Sequence, residues 1–184
     1  FMDCTSLVEV NILGEIKSFG EYVFYNCCTL KSLSIRGNFN EIGMCSFWGC
    51  KSLESIELPN SIIDIGQSSF AYCTSLETIS LPTEILIIND NLFYQCEKLK
   101  SIEIPSKVSK IGNYAFWGCF SLESVIIPNS VTHIENNAFR YCSSLKEVIL
   151  PSNLERINEF VFSDCLSLER VIIPVSINEI KGFA

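Results

Sequence analysis

The stretch from Cys119 to Tyr141 reads CFSLESVIIPNSVTHIENNAFRY, and its pattern recurs along the whole chain every 23 residues. Cysteine, leucine and phenylalanine each return at this interval without an insertion or deletion. The cysteine column comprises Cys4, Cys27, Cys50, Cys73, Cys96, Cys119, Cys142 and Cys165. Eight such units account for all 184 residues. A fixed period of about 20–50 residues predicts a repeat solenoid, in which stacked coils present one extended surface.

Seven columns are apolar in every unit, and their spacing predicts the path of each coil. In the third unit they are Phe47, Cys50, Leu53, Ile56, Leu58, Ile62 and Ile65. The segment 53–58, with a β-branched residue in its middle, predicts one short parallel strand per unit. The proline that follows in six units lacks a ladder donor and is expected to end the strand. The i, i+3 spacing of Phe and Cys predicts a helical turn that directs both side chains inward.

The unbroken period indicates one domain. We interpret residues 1–184 as a single solenoid of eight 23-residue units and expect the chain to be a fragment of a longer array. The first two units are looser than the others, because Leu13 and Arg36 stand where later units carry proline.

The repeated unit C-x-x-L-x-x-I-x-(I/L)-P-x-x-(I/V)-x-x-I-x-x-x-A-F resembles the treponemal-type leucine-rich repeat of BspA-like surface proteins, over the entire chain. The resemblance implies a right-handed leucine-rich repeat solenoid with a parallel β-sheet on its concave side and short strands and helical turns on the other faces. Family members are typically cell-surface proteins of bacteria and some protozoa that adhere to host matrix or to other cells. No enzyme activity is associated with the repeat. The departures from the pattern are Leu13, Arg36 and Gly37.

Composition argues against two classes of partner. The formal net charge is −8, and the 13 Lys and Arg residues form no basic cluster, so nucleic acid is not an expected partner. No run approaches the roughly 18 consecutive apolar residues of a membrane span, so direct membrane insertion is not expected either.

The residues that often carry chemistry are explained better as scaffold. Stacked cysteines of one column would hold their Cβ atoms farther apart than a disulfide prefers, so we predict buried, unpaired thiols that act as small hydrophobes. Cys28 and Cys45 lie off the column and are the candidates for exposed, reactive thiols. His133 stands in a column of varied residues and has no evident nucleophile or orienting partner. We therefore predict no catalytic residue, no metal site, no cofactor and no enzyme.

The candidate partner-binding residues face outward from the predicted sheet. One column switches from polar residues to isoleucine in its last three units, which predicts a contiguous apolar stripe that contacts a partner. The alternative is that β-propensity fills a face that another part of the full protein covers. The column comprises Asn11, Ser34, Glu57, Ser80, Glu103, Ile126, Ile149 and Ile172.

A second candidate is aromatic. Tyr25, Trp48, Tyr94 and Trp117 occupy the column after phenylalanine, and Trp and Tyr are enriched at binding hot spots. We add Trp48 and Trp117 to the candidate residues, although shielding of the core by these large rings is the favoured explanation. A further column alternates in charge from Glu77 onward, which predicts ion pairs that support the stack.

The residues favour a non-catalytic protein-binding module. The resemblance implies that it lies at the cell surface and contacts host or neighbouring-cell proteins through the solenoid surface. The alternative is a cytoplasmic protein-interaction scaffold. The unpaired cysteines are compatible with either, because they are usual in the cytosol and an anaerobic habitat would permit them outside the cell as well. Homotypic stacking of solenoids is left open.

Overall fold

A computed structural model describes residues 1–35 and 37–184, and within these ranges the chain forms fifteen short strands. In chain order they are β1 (Glu9–Asn11), β2 (Ser32–Ser34), β3 (Glu41–Ile42), β4 (Ser55–Ile56), β5 (Asp64–Ile65), β6 (Thr78–Ile79), β7 (Ile87–Ile88), β8 (Ser101–Glu103), β9 (Lys110–Ile111), β10 (Ser124–Ile126), β11 (His133–Ile134), β12 (Glu147–Ile149), β13 (Arg156–Ile157), β14 (Arg170–Ile172) and β15 (Glu179–Ile180). Together they build a parallel β-solenoid.

The first series of strands contributes one strand to each 23-residue unit. It consists of β1, β2, β4, β6, β8, β10, β12 and β14. The pairing is parallel and in register by one unit, so that Val148 lies opposite Val171 and Val125 lies opposite Ile102. In the three-residue strands the middle side chain points inward and its two neighbours point to solvent. The predicted parallel strand per unit is confirmed.

The second series runs along another side of each coil. It consists of β3, β5, β7, β9, β11, β13 and β15, all paired in parallel. A turn precedes each of its later strands, as where the amide of Val131 donates to the carbonyl of Pro128 at 3.0 Å. The prolines therefore mark the corner between the two series, as expected. Leu13 is exposed at this corner of the first unit, and Arg36 lies outside the described residues.

The predicted helical turn is wrong. In the described part of the chain the segment around each phenylalanine is a tight turn and not a helix. Tyr114 and Gly118, which flank Phe116 at a distance of two residues, both have left-handed φ angles, of 56° and 71°. A helix requires an unbroken run of right-handed φ angles, so these residues interrupt it.

The hydrogen bonds of this segment also run between coils. The amide of Phe116 donates to Ala138 of the next coil at 2.8 Å, and the amide of Gly118 donates to Arg140 at 2.9 Å. Two amides turn back within the coil: Trp117 donates to the carbonyl of Tyr114 at 3.1 Å, and Cys119 donates to the carbonyl of Phe116 at 3.2 Å. This short turn is enough to direct both Phe116 and Cys119 inward, which is why their i, i+3 spacing resembles that of a helix.

The core is a set of continuous columns along the solenoid. The phenylalanine rings from Phe24 to Phe139 are fully buried and stack with centroid distances between 5.0 and 5.8 Å. Burying one such ring stabilises the fold by about 1.5–3 kcal/mol. Phe1 and Cys4 are exposed, because their coil has a neighbour on one side only. Stability therefore comes from contacts between successive coils.

Candidate functional site

The outward-facing residues of the first strand series form one continuous surface, which we call the strand face. The eight predicted residues of this column are all exposed. Register holds them side by side, since Asn11 pairs with Ser34, Glu103 with Ile126, and Ile149 with Ile172. An isolated bridge joins Ser34 to Glu57, and Ser80 follows β6 directly. The structure thus brings this part of the predicted set together.

The two halves of the strand face differ in character. Ile126 is 65% exposed, Ile149 is 59% exposed and Ile172 is 38% exposed. The first two lie next to the buried Val125 and Val148 of their own strands, and Ile172 lies next to the half-buried Val171. The other half is polar, and a shallow cleft of about 310 Å³ opens there beside Ser80 and Glu103. A contiguous exposed apolar stripe is uncommon on a monomeric surface and is typical of an interface.

Ion pairs between coils border the strand face. Lys100 Nζ lies 2.7 Å from Glu77 Oε2, and Lys146 Nζ lies 3.4 Å from Glu123 Oε2. The hydrogen bond from Lys100 lowers the pKa of the Glu77 carboxyl. These contacts agree with the predicted alternation of charge. Because the groups are exposed, the pairs act mainly on register and solubility.

Trp48 and Trp117 lie on the turn side of the coils, away from the strand face, so the predicted residues divide into two surfaces. Both rings are half-buried and each stacks on a tyrosine of the preceding coil. The ring centroids of Tyr25 and Trp48 are 4.6 Å apart, and those of Tyr94 and Trp117 are 4.7 Å apart. Mutual stacking agrees with the shielding explanation for much of their area.

Sequence reasoning missed two members of this surface. Tyr72 and Tyr141 stand one position later in their coils, where the preceding column holds Ala71 and Arg140. Their rings lean back into that column and contact Trp48 and Trp117, each at a centroid distance of 5.1 Å. We call the resulting row the aromatic ladder; its members are Tyr25, Trp48, Tyr72, Tyr94, Trp117 and Tyr141. The signal was a tyrosine at the next position in two of the four coils whose column lacks an aromatic residue.

The cysteine column is buried from Cys27 to Cys165, as predicted, whereas Cys4 is exposed. All ten cysteines are free. Burial raises the pKa of the Cys50 thiol to about 12 and holds that of Cys73 well above its ordinary value. Such thiols are poor nucleophiles, because the thiolate is the reactive form.

The off-column cysteines are less exposed than predicted. Cys28 and Cys45 are both half-buried. Burial also raises the pKa of the Cys45 thiol, which makes Cys28 the better candidate of the two. His133 is exposed on β11, where its ring contacts the Thr132 hydroxyl at 2.9 Å. The described residues form no group of three or more His, Cys, Asp or Glu side chains suited to a metal ion.

Known proteins share this repeat. The model of the BspA-type leucine-rich repeat region matches residues 1–119 and 63–184, with six copies. The chain belongs to this family. A leucine-rich repeat protein of T. pallidum, known from a crystal structure, is 34% identical with a TM-score of 0.75, and the match covers 82% of this chain and 71% of that one.

More distant structures include a leucine-rich repeat protein from Bacteroides ovatus, 23% identical with a TM-score of 0.47, over 98% of this chain and 76% of that one. A leucine-rich cell surface protein from Faecalibacterium prausnitzii is 20% identical, also with a TM-score of 0.47, over 88% and 75% of the two chains. No curated protein matches significantly. BspA-type repeats are generally protein-interaction modules, and the described coils contain no helix of the length and hydropathy that a membrane crossing requires.

Proposed function

We propose that this chain is an adhesion module of the cell surface that binds host or neighbouring-cell proteins through its strand face. The observation that carries the proposal is the stripe formed by Ile126, Ile149 and Ile172, which occupy the same position of successive strands and remain exposed. Ile149 and Ile172 are also paired in register. Exposed apolar patches of this kind, with polar surroundings, mark protein-binding sites. Membership of the BspA-type family supports the location at the cell surface.

The physical advantage of this surface is its rigidity. Ile126 and Ile149 stand on strands whose neighbouring side chains, Val125 and Val148, are buried in the core, and Ile172 stands beside the half-buried Val171. The side chains are therefore held in place before a partner arrives, which reduces the entropy lost on binding. The polar half of the face and its bordering charges would then set the orientation of the partner.

The experiment is a binding assay with the purified chain on basement-membrane extract and on fixed host epithelial cells. Replacing Ile126, Ile149 and Ile172 together with serine is expected to weaken binding at least about tenfold, since central apolar contacts carry most of an interface's energy. A matched control replaces Ile63, Leu86 and Ile87 with serine, because these residues are also exposed and apolar but lie along the second strand series.

The two triple variants separate the outcomes. Weaker binding by the strand-face variant alone supports the proposal, provided that both variants retain the far-ultraviolet circular dichroism of the parent. Equal binding by the parent and the strand-face variant contradicts it, and so does an equal loss in the control.

A second candidate function is a cytoplasmic protein-interaction scaffold. The observation in its favour is the set of ten free cysteines, which suits a reducing compartment. Protease treatment of intact native cells, followed by immunoblotting for this chain, distinguishes the two. Loss of the band supports the surface location, and an intact band that disappears only after lysis supports the scaffold.

A further inference from the structure

The aromatic ladder repeats every three coils. Tyr25, Trp48 and Tyr72 recur 69 residues later, three units of 23, as Tyr94, Trp117 and Tyr141. The geometry recurs with them, because the two stacked pairs have interplanar angles of 8° and 5° and both final tyrosines meet the tryptophan edge at 5.1 Å. The two triads can therefore be compared position by position.

The second triad holds a cation supplied by the chain itself. The guanidinium carbon of Arg140 lies 4.9 Å from the centroid of the Tyr141 ring and 4.8 Å from that of Phe160. Its Nε donates to Asp164 at 3.1 Å. Of these two rings only Tyr141 belongs to the triad, and the position equivalent to Phe160 in the first triad is Asn91. Arg140 thus shows that the last tyrosine of a triad can hold a flat cation over its face.

The first triad lacks this cation and has an open cleft in its place. The position equivalent to Arg140 is Ala71, whose side chain ends at Cβ. The cleft has a volume of about 350 Å³, and four rings border it: Trp48, Tyr72, Tyr94 and Tyr114. Ser68 and Asn91 add polar groups to its lining.

We propose that this cleft binds the guanidinium group of an arginine side chain that a partner protein presents. Four aromatic rings line this open cleft, and aromatic rings attract organic cations. The side-chain oxygens of Ser68, Asn91 and the tyrosines can accept hydrogen bonds from guanidinium N–H groups. The position equivalent to Asp164 is the neutral Gln95, so the rings carry more of the attraction here than an ion pair does. The net charge of −8 attracts a basic partner over a longer range.

This site is separate from the strand face. It depends on the proposed function only in that the arginine belongs to a protein, and a small-molecule probe tests it without that assumption. If the cleft fails the test, the strand-face proposal is unaffected.

The experiment uses tryptophan fluorescence. The chain contains two tryptophans, so Trp117→Phe leaves Trp48, at the edge of the cleft, as the only one. This variant is titrated with N-acetylarginine amide, with the neutral isostere N-acetylcitrulline amide and with tetramethylammonium. We expect a saturable change with the arginine probe and at least about fivefold weaker binding of the citrulline probe, since a cation over an aromatic face contributes a difference of this size.

Two further variants make the test specific. Ala71→Arg places a resident cation in the cleft, as Arg140 does in the second triad, and is expected to abolish the response to the arginine probe. Arg140→Ala, combined with Trp48→Phe, vacates the second triad and is expected to create a response reported by Trp117. Neither substitution touches the phenylalanine or cysteine columns, but Ala71 is itself buried, so the far-ultraviolet circular dichroism of each variant is compared with that of the parent.

Several results would overturn the proposal. They are a linear, non-saturable change with the arginine probe, equal affinity for arginine and citrulline probes, and an unchanged response in Ala71→Arg. Saturable binding of tetramethylammonium without binding of the arginine probe would assign the cleft to small quaternary ammonium ions instead, and would also refute the arginine assignment.

Discussion

The thiol of Cys119 donates a hydrogen bond to the carbonyl oxygen of Phe93 in the preceding coil, with Sγ 3.2 Å from the oxygen. The same contact recurs from Cys27 to Cys165, at 3.1 or 3.2 Å each time. The side chain therefore fills a small apolar site and also donates to the coil below it. Alanine would fill the site incompletely and has no side-chain donor, which explains the preference for cysteine in this column.

Cys119→Ala is expected to lower the free energy of unfolding by about 1–2 kcal/mol, because it removes a weak hydrogen bond and leaves a small cavity. Urea denaturation followed by circular dichroism measures the effect. Cys4→Ala is the control, since Cys4 is exposed, and it should leave stability unchanged. Equal effects of the two substitutions would show that the inter-coil contact does not stabilise the fold.

Thiol accessibility should divide the ten cysteines sharply. In the native protein at pH 8, we expect Cys4 and Cys28 to react rapidly with Ellman's reagent and Cys45 to react more slowly, because burial raises the pKa of its thiol. The seven buried column cysteines should react only after denaturation in urea. Rapid modification of Cys96 or Cys142, identified by mass spectrometry, would contradict the buried column.

Stability should decline at alkaline pH. The folded-state pKa of the column thiols is raised, to about 12 for Cys50 and Cys165, whereas unfolded thiols ionise near about 8.5. Above the pKa of the unfolded thiols, the unfolded state therefore binds fewer protons than the folded state. The stabilisation is complete below about pH 8 and is lost as the pH rises toward 12, by up to about 1.4 kcal/mol per pH unit for each thiol. Urea denaturation at several pH values measures this slope.

Cys73→Ala provides the control for the alkaline effect. Between about pH 9 and 11, the free energy of unfolding should fall less steeply with pH, by up to about 1.4 kcal/mol per pH unit, because the variant has one buried thiol fewer. An unchanged slope would assign the alkaline loss of stability to other groups.

Phe116→Ala should destabilise the chain by about 3–5 kcal/mol, because it opens a cavity in the middle of the phenylalanine column. Its ring stacks on Phe93 at 5.4 Å and on Phe139 at 5.0 Å. Phe120→Ala is the matched control at an exposed position, 38% accessible, and should change stability by less than about 1 kcal/mol. Thermal denaturation compares the two, and similar melting temperatures would refute the stacked column.

The columns that recur in every unit were predictable, because only a stacked solenoid places residues 23 apart in contact. The parallel strands, the inward Phe116 and Cys119 and the exposed strand face all follow from that period. The helical turn was wrong for a local reason. The i, i+3 spacing of Phe and Cys fits a helix and a tight turn equally well, and the left-handed φ of Tyr114 leaves little trace in residue type.

The aromatic ladder was only partly predictable, for a different reason. Column-by-column analysis assigns each residue to its own position, whereas the rings of Tyr72 and Tyr141 lean into the neighbouring column. The exposure of Cys4 likewise depends on which coils flank it, and its residue type is the same as that of its buried counterparts. Long side chains and the ends of the stack are therefore where periodicity alone is least informative.

The invariant interior has one consequence for assembly. A misfolded stack that looped out the coil containing Lys100 would still match every phenylalanine and cysteine, so the interior cannot detect the omission. The alternating charges can, because Glu77 would then meet Glu123 in place of Lys100, and like charges on adjacent rungs repel. The exposed, variable residues therefore disfavour a stack with a missing coil, which the identical interior residues cannot do.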